Sequence, residues 1–308
     1  MSMENRDGWI WMDGQWTPWR DARVHAMTHT LHYGLGCFEG IRAYATPSGP
    51  AIFRLDEHIE RLFDSAKILG LDMPYDAPTL RQTSIDAIGK NGLESGYIRP
   101  LVFLGAEKAG IDPLGTEVHV MIAAWAWGAY LGDAGLDTGI RVKVASFARH
   151  HVNVQMCRAK SVSTYTNSIL ACREARQEGY DEALLLDTDG FVAEGPGENV
   201  FVVKRGKLYE PEITSALDGI TRRTIHALAA DAGLEIAARR ITRDELYVAD
   251  EVFFTGTAAE VTPVVEVDRR RVGSGTPGPI TRELQRRFFA TVRGEDTRHA
   301  DWLTPCRA

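Results

Sequence analysis

The feature that most constrains this chain is a glycine-rich stretch near its middle, residues 128–139, which follows two strand-like apolar runs. Repeated glycines favour an irregular connector over a helix or a strand. A chain of 308 residues is also longer than one hydrophobic core usually serves. We therefore predict two domains, a smaller N-terminal α/β domain at residues 1–131 and a larger C-terminal domain at residues 132–308.

Local patterns mix strands with long helices and indicate an α+β (mixed α/β) fold class. Asp13 and Gly14 lie between apolar runs and predict a β-hairpin, because both residues tolerate positive φ. Apolar residues at helical spacing over residues 56–69, followed by Gly70, predict an amphipathic helix. The same reasoning predicts helices at residues 167–177 and after residue 219, strands at 97–104, 118–127, 183–187, 191–194, 200–204 and 252–255, and a surface loop at 272–279.

Composition and charge exclude several classes of protein. The chain is 44% hydrophobic and 25% charged, with a formal net charge of -7 and no run of lysine and arginine, so we expect neither a nucleic-acid partner nor a membrane partner. Its apolar runs are too short to span a bilayer, and the N-terminal residues lack the pattern of a signal peptide. The four cysteines form no Cys-x-x-Cys pair, which favours reduced thiols and a cytoplasmic location.

Metal and serine-hydrolase chemistry find little support. His25, His29 and His32 have a spacing that would place them on one face of a helix, as metal ligands often are. The residues around them are poor helix formers, so a half-buried strand or loop is the simpler interpretation, and we predict no metal site. The chain contains no Gly-x-Ser-x-Gly motif.

Two turns and one lysine are candidates for ligand chemistry. Residues 219–221 open a predicted helix, and residues 255–260 follow a predicted strand. Free N–H groups at a helix start, joined by a hydroxyl, can bind a phosphate. The alternative is an ordinary helix start capped by Asp218 or Thr221. Lys160 ends a long polar stretch before a helix, where it is either a reactive amine in a cleft or a surface side chain.

Nine segments, in this order along the chain, resemble the branched-chain amino acid aminotransferases, which are class IV, fold-type IV enzymes that use pyridoxal phosphate. The segments are residues 29–34, 38–42, 57–62, 97–100, 127–132, 159–160, 194–199, 217–222 and 256–260. The resemblance implies a fold-type IV enzyme of two domains, with pyridoxal 5′-phosphate in the cleft between them and the Schiff-base lysine in the C-terminal domain.

The resemblance also implies a set of cofactor contacts. Lys160 would form the Schiff base and carry the proton between Cα and C4′. Glu194 would face the ring nitrogen, and Tyr165 would bind the ring 3-oxygen. The phosphate would be bound by Arg61, Ile220, Thr221 and Thr257, and Leu217 and Gly219 would also belong to the cofactor site. Helical periodicity places Arg61 roughly 200° from Ile59, off the apolar face and towards a ligand or water.

The implied reaction is ping-pong transamination of leucine, isoleucine or valine with 2-oxoglutarate, giving branched 2-oxo acids and L-glutamate. Arg99 would bind the distal carboxylate of glutamate, and Tyr33 would come from a neighbouring subunit, so a homodimer or larger homo-oligomer is expected. The remaining implied substrate residues are Phe38, Gly40, Tyr97, Ile111, Trp127, Tyr130, Thr257 and Ala258.

Two departures from the family pattern leave alternatives open. Residues 161–164 replace the small residues usual in relatives, so Val162 or Thr164 either narrows the space beside the cofactor or packs away from it. Asp218 must face away from a bound phosphate. The alternatives within the fold are a D-amino acid or amine transaminase and a lyase of the aminodeoxychorismate type. A non-catalytic binding protein or a metal hydrolase would be colourless, whereas a pyridoxal-phosphate enzyme is yellow.

Overall fold

The computed structural model describes residues 2–128 and 130–306. The helices in chain order are α1 (His29–Tyr33), α2 (Leu55–Ile68), α3 (Ala77–Lys90), α4 (Asp133–Thr138), α5 (Tyr165–Gln177), α6 (Ile220–Asp231), α7 (Arg243–Tyr247) and α8 (Pro279–Val292). The strands are β1 (Trp9–Met12), β2 (Gln15–Pro18), β3 (Gly36–Phe38), β4 (Ile41–Thr46), β5 (Gly49–Phe53), β6 (Gly96–Leu104), β7 (Val118–Trp125), β8 (Ile140–Val144), β9 (Glu182–Leu186), β10 (Val192–Glu194), β11 (Asn199–Lys204), β12 (Lys207–Glu210), β13 (Ile236–Ala238), β14 (Glu251–Gly256), β15 (Glu260–Val267), β16 (Arg270–Arg271) and β17 (Leu303–Pro305).

The chain divides into two compact units. Unit 1 contains residues up to 127, residues 159–163 and residues from 291 onward, and unit 2 contains residues 128–158 and 164–290. The predicted boundary after residue 131 lies four residues beyond the division after 127. The structure differs from the prediction at Lys160, which belongs to unit 1 because its segment is hydrogen-bonded to β3.

Unit 1 is built on an antiparallel sheet with the strand order β17-β5-β4-β6-β7-β1-β2, and β3 pairs with β6. The β1–β2 hairpin turns at Asp13 and Gly14, whose φ values of 46° and 89° confirm the predicted turn. Helix α2 confirms the predicted amphipathic helix, since Ile59, Leu62 and Ala66 enter the core of this unit. Burial of that apolar face is the main force that holds the helix on the sheet.

Unit 2 contains a second sheet, with the order β10-β9-β8-β15-β14-β11-β12-β13 and with β16 beside β15. The pairs β8–β9, β8–β15 and β12–β13 are parallel, and the other pairs are antiparallel. Apolar side chains such as Val142, Leu184 and Phe254 form its core. Strand β10 forms one edge of the sheet and ends at Glu194, which brings that carboxylate to the sheet edge.

Several predicted boundaries need correction. Helix α5 begins at Tyr165, two residues before the predicted start, and β7 ends at Trp125. The glycine-rich connector contains the short helix α4. The histidine-rich segment forms the one-turn helix α1, not a strand or loop, and Gly34 ends it with a φ of 74°. Within the described ranges, no helix combines the length and apolarity needed to cross a membrane.

Candidate active site

Lys160 lies on a short extended segment that runs antiparallel beside β3. The Phe38 N–H donates to the Lys160 carbonyl at 3.1 Å, and the Val162 N–H donates to the Gly36 carbonyl at 2.9 Å. From helix α2, the buried Ser65 hydroxyl accepts the Lys160 N–H at 3.0 Å. The backbone of Lys160 is therefore fixed by a strand and a helix together.

The ring of Phe38 brings together two predicted site residues of different function. The Lys160 Nζ lies 5.1 Å from the ring centroid, and the Arg99 Cζ lies 4.5 Å from the same centroid. Both distances suit a cation–π contact. Arg99 also donates to the Tyr97 hydroxyl at 3.3 Å. A primary amine and a guanidinium thus flank one aromatic ring within unit 1.

Gly40 makes room for Tyr97. A Cβ at residue 40 would lie 1.8 Å from the Tyr97 hydroxyl oxygen, so only glycine permits this approach. The Tyr97 ring packs edge-on against Trp127 with a centroid distance of 4.6 Å. Tyr97, Trp127 and Gly40 therefore join Phe38 and Arg99, and the structure brings these five predicted substrate residues together.

Arg61 lies off the apolar face of α2, as its helical spacing predicts, and contacts a carboxylate there. Its side chain is buried, and its Nε and one terminal nitrogen donate to the two carboxylate oxygens of Glu39 at 2.6 and 2.9 Å. The helical-wheel argument placed Arg61 off the apolar face correctly. It could not show that a buried carboxylate from another element lies on that side.

In unit 2, the buried Glu194 carboxylate is held by two side chains and one backbone group. Arg149 donates from Nε to Oε1 at 2.7 Å, and the Leu217 N–H donates to Oε2 at 3.1 Å, with Asn199 at 3.5 Å from Oε2. Burial alone would lower the pKa of Arg149, but the charge and hydrogen bond of Glu194, together with Tyr165 and Cys157, raise that pKa overall. Arg149 therefore stays cationic, and Glu194 is an ion-paired carboxylate of fixed orientation.

Asn199 joins this carboxylate to the turn before α6. Its amide Nδ2 donates to the Leu217 carbonyl at 2.9 Å. A Cβ at Gly219 would lie 2.0 Å from the Asn199 Oδ1, so the turn requires glycine there. Glu194, Leu217 and Gly219, which the sequence placed in two separate segments, are thus connected through one asparagine.

Helix α6 starts without a side-chain cap. Gly219 occupies the N-cap position, and the next two residues, Ile220 and Thr221, are buried in the first turn. The alternative in which Asp218 or Thr221 caps the helix is therefore wrong. Asp218 instead pairs with Arg222 at 3.1 Å and with Arg158. N–H groups of a first turn that lack a side-chain acceptor are suited to an anion.

Three further predicted residues of unit 2 lie near turns. Thr257 and Ala258 occupy the turn after β14 and are half-buried. The Tyr130 N–H donates to the Ala258 carbonyl at 3.4 Å, which brings these predicted substrate residues together. Tyr165 is the first residue of α5 and is half-buried. Ala129, inside the predicted segment 127–132, lies outside the described residues.

Comparison with known proteins identifies the family of the chain. The profile of the amino-transferase class IV family matches residues 36–267. The chain belongs to the class IV aminotransferase family. A relative from Pseudomonas aeruginosa, named branched-chain-amino-acid aminotransferase, is 55% identical over 304 residues, covering 99% of each chain. The crystal structure of the Escherichia coli branched-chain amino acid aminotransferase superposes with a TM-score of 0.96 at 44% identity, covering 98% of this chain and 100% of that one.

A second solved structure, the T.th. branched-chain amino acid aminotransferase with pyridoxamine 5′-phosphate, gives a TM-score of 0.95 at 46% identity. It covers 98% of this chain and 99% of the other. The resemblance inferred from the nine sequence segments is confirmed, and so is the α+β fold of a class IV aminotransferase.

Two predicted substrate residues of this aminotransferase lie on its surface. Tyr33 is 48% exposed and Ile111 is 93% exposed. The Tyr33 hydroxyl accepts the Gly110 N–H at 3.0 Å, and the His29 Nε2 lies 2.8 Å from the Gly110 carbonyl oxygen. Helix α1 therefore holds both backbone polar groups of Gly110 and presents Ile111 to the surface.

Four residues that organise the site were not predicted. Glu39 and Asn199 lie inside segments that carry the family resemblance, but their partners are distant in sequence. His58 looked like an ordinary residue of an amphipathic helix. Arg149 follows a β-strand and carries no local motif, so only the fold reveals that it contacts Glu194.

The departure at residues 161–164 is mainly a packing feature. The Val162 N–H bonds to Gly36, and its side chain lies against the Gly36 backbone. The hydroxyls of Ser161 and Ser163 lie 2.8 Å apart. Val162 thus packs on β3, which favours the second of the two interpretations, and Thr164 is buried at the start of the second stretch of unit 2.

The three histidines considered as metal ligands contact backbone groups. The His32 Nε2 lies 2.9 Å from the Ala26 carbonyl oxygen, and the His25 Nδ1 accepts the Met27 N–H. Elsewhere, ligand atoms of Glu107, Glu117 and His119 lie within 4.8 Å of one another. His119 is hydrogen-bonded to Asp13, and exposed acidic groups of this kind are common without a metal, so this group receives no role here.

Proposed function

We propose that this chain transfers amino groups between branched-chain L-amino acids and 2-oxoglutarate, with pyridoxal 5′-phosphate as its cofactor. The observation that carries the proposal is the pair of cations on the Phe38 ring, Lys160 and Arg99. An aminotransferase of this kind needs an amine that moves protons and a separate cation that binds glutamate's second carboxylate. The names of the relatives from Pseudomonas aeruginosa and Escherichia coli support the substrate class.

The chemistry of the donor set fits this cofactor. Lys160 supplies an amine beside an aromatic ring, and Arg61 supplies a buried guanidinium. The uncapped start of α6, where a Cβ at Gly219 would meet the Asn199 side chain, suits a phosphate dianion. When bound, pyridoxal phosphate supplies a carbonyl that takes up the amino group and a conjugated ring that stores the electron pair released at Cα.

Each cofactor contact is assigned to a residue of this chain. Lys160 would hold the cofactor covalently at rest, and Arg61, Ile220, Thr221 and Thr257 would hold the phosphate, with Leu217 and Gly219 in the turn beside it. Tyr165 donates to the ring 3-oxygen. Glu194 would face the ring nitrogen and keep that nitrogen protonated, and the hydrogen bond from Arg149, which fixes its carboxylate, suits it to this task.

Proton transfer is the central chemical step that the chain performs. With the cofactor and substrate bound, the Lys160 Nζ would take the proton from the substrate Cα as a base and give it back as an acid. Hydrogen bonds to Ser65 and Phe38 fix the backbone of Lys160, so its position along the chain is set and its side chain carries out the transfer. Positioning of this sort lowers the barrier to proton transfer, because the entropy cost of bringing the base to the proton has already been met.

Substrate selection rests on the aromatic group in unit 1 and on the turn after β14. Arg99 binds the distal carboxylate of glutamate. Tyr97 and the amides of residues 257–258 hold the α-carboxylate, with Gly40 giving Tyr97 its position. Phe38, Trp127, Tyr130 and Ala258 form the apolar surface for the aliphatic side chain.

Tyr33 and Ile111 support a homo-oligomer as part of the proposal. Both side chains are exposed, and helix α1 fixes the loop that carries Ile111. In a homodimer or larger assembly these residues would complete the substrate site of a neighbouring copy. The free cysteines Cys37, Cys157, Cys172 and Cys306 are consistent with a reducing cytoplasmic location.

The absorbance spectrum of the purified protein tests the function. L-leucine, D-alanine and an aromatic amine are added in separate cuvettes, and conversion of the cofactor to its amine form is followed. We expect L-leucine alone to change the spectrum and 2-oxoglutarate to restore it. A change with only D-alanine or the amine would retain the cofactor and overturn the substrate class, and a colourless protein after cofactor addition would overturn the enzyme.

A further inference from the structure

One side of helix α2 carries a row of buried polar residues next to its apolar face. His58, Arg61 and Ser65 are spaced by three and four residues, so their side chains share one face of the helix. All three are buried. Buried polar groups require hydrogen-bond partners, and two of these three find theirs on the same carboxylate.

That carboxylate belongs to Glu39, which follows β3 and is 0% exposed. Its Oε1 accepts from the Arg61 Nε at 2.6 Å, and its Oε2 accepts from a second Arg61 nitrogen at 2.9 Å. The His58 Nδ1 lies 2.7 Å from Oε2. The Glu39 N–H donates to the Pro100 carbonyl at 2.9 Å, so both its backbone and its side chain are fixed.

This arrangement fixes the plane of the Arg61 guanidinium. The group is flat, and two nitrogens on one edge are pinned by two oxygens, so rotation about the last side-chain bonds is lost before any ligand binds. The other edge of the Arg61 guanidinium therefore has a fixed orientation. An anion that binds there does not have to order a long, flexible side chain, which is the cost that usually weakens an arginine contact.

His58 supports Glu39 as a neutral donor. Since an ionised carboxylate only accepts, the His58 Nδ1 must carry the shared proton. Burial lowers the pKa of His58, and the charges of Arg61 and Lys160 lower it further against the opposing effect of Glu39. Burial would raise the pKa of Glu39, but Arg61 and His58 bring it well below its usual range. A charged Glu39 and a neutral His58 are thus the stable pair.

The same two elements hold Lys160. The segment of Lys160 is bonded to Phe38, the residue before Glu39, and to Ser65, one helical turn after Arg61. Strand β3 and helix α2 therefore fix the backbone of the lysine and, through Glu39, the side chain of Arg61. The two groups proposed to hold opposite ends of one cofactor are thus positioned by the same strand and helix.

We propose that Glu39, supported by His58, is a positioning residue for the cofactor phosphate, because it sets the guanidinium plane of Arg61 relative to Lys160. The inference rests on the proposed function, since it takes Arg61 as a phosphate ligand. It assigns roles to two residues that would touch neither the cofactor nor the substrate.

The test compares two ligands that differ only in the phosphate. The full chain is freed of cofactor, and its dissociation constants for pyridoxal 5′-phosphate and for pyridoxal are measured by fluorescence quenching. Glu39→Gln keeps the shape and removes the charge. Glu60→Gln makes the same change at an exposed position of α2, the helix that carries Arg61, and is the matched control.

We expect Glu39→Gln to weaken pyridoxal 5′-phosphate binding about tenfold or more and to change pyridoxal binding less than about twofold. Glu60→Gln should change neither. Equal losses for both ligands would mean that Glu39 serves the fold alone. Unchanged or tighter phosphate binding would mean that its negative charge opposes the phosphate and that it positions nothing. Either result overturns the inference.

A second pair of variants applies if Glu39→Gln does not fold. His58→Asn keeps a donor near the position of Nδ1, whereas His58→Leu removes it. We expect the asparagine variant to recover most of the phosphate-dependent affinity that the leucine variant loses. Equal affinity in the two would contradict the inference. A wild-type chain that binds pyridoxal 5′-phosphate no better than pyridoxal would instead refute the proposed function.

Discussion

The two units each bury a glutamate beside an arginine, but the roles within the pairs are reversed. In unit 1, Glu39 holds Arg61, and the cation is the group proposed to meet the ligand. In unit 2, Arg149 holds Glu194, and the anion is the group proposed to meet the ligand. A buried ion pair adds little to stability by itself, since desolvation offsets most of the attraction. Here each pair gives a fixed direction to one charged group.

Arg99 and Glu198 are ionisable residues for which the described part of the chain shows no ion-pair partner, in contrast to the two pairs above. Within the described part of the chain, Arg99 contacts the rings of Phe38 and Tyr97 and the Tyr97 hydroxyl, and its buried Nε has no hydrogen-bond partner. Glu198 is buried and accepts the Gly197 N–H at 3.0 Å. Such residues should respond to mutation and pH differently from the paired ones.

The largest effect is expected from loss of the amine. Lys160→Ala should lower transamination of L-leucine with 2-oxoglutarate by about 10³-fold or more, since base, acid and covalent anchor disappear together. Steady-state turnover measures this effect. Lys67→Ala, on the exposed side of α2, is the control and should retain full activity. Substantial turnover by the Lys160 variant would remove Lys160 from its assigned role.

The next largest effect should fall on stability. Arg149→Leu leaves the buried Glu194 unpaired and should lower the free energy of unfolding by about 3–5 kcal/mol. Urea denaturation followed by circular dichroism gives the value. The exposed Arg286→Leu should change it by about 0–1 kcal/mol. A similar small loss in both variants would show that Arg149 does not hold Glu194 in the way described.

The third prediction concerns Arg99, which contacts aromatic rings and is proposed to bind the distal carboxylate of glutamate. Arg99→Ala should slow the half-reaction with L-glutamate about 10–100-fold and that with L-leucine much less, because only glutamate presents a second carboxylate. Single-turnover absorbance changes separate the two half-reactions. Lys108→Ala, an exposed cation of the same unit, serves as control. Equal losses on both substrates would exclude Arg99 from binding the distal carboxylate.

The smallest effect concerns the buried carboxyl of Glu198 and its pH dependence. Burial, and then the charge of Glu182, raise the pKa of Glu198 from 4.5 to about 8. Between these values the unfolded chain releases a proton that the folded chain keeps, so folding stability falls as pH rises. Glu198→Gln should remove this fall and add about 2 kcal/mol to the free energy of unfolding at pH 6 but little at pH 4.5.

Unfolding midpoints of wild type and Glu198→Gln across this pH range measure the difference. Glu235→Gln is the control for an ordinary exposed carboxylate. A difference between Glu198→Gln and wild type that does not depend on pH would place the pKa of Glu198 outside the stated window.

Elements with strong local signals could be predicted from the sequence. The Asp13–Gly14 hairpin and the apolar face of α2 are determined by residues a few positions apart in the sequence, and both predictions were confirmed. The one-turn helix α1 was missed because its residues have low helix propensity. Its left-handed end at Gly34 and its hydrogen bonds to Gly110 hold it in that form.

The residues of the site could be predicted from the sequence, but the contacts between them could not, because those contacts also depend on residues distant in the chain. Lys160, Arg99 and Phe38 could be named through family resemblance, but nothing local indicates that one ring contacts both cations. Glu39 meets Arg61 across 22 positions, and Arg149 meets Glu194 across 45. Contacts between residues so far apart in sequence depend on the strand order and on where each helix packs, and a helical wheel of one segment cannot predict either.

The division of unit 1 into three stretches of chain bears on how the protein folds during its synthesis. Strand β5 emerges from the ribosome early, yet its partner β17 comes from the last of the three stretches, with Phe53 paired to Leu303. A nascent chain therefore carries an open sheet edge for most of translation, a condition that invites association with other unfinished chains. Folding that proceeds from the N-terminus cannot complete this unit, so its cooperative closure must wait until residues 303–305 have been synthesised.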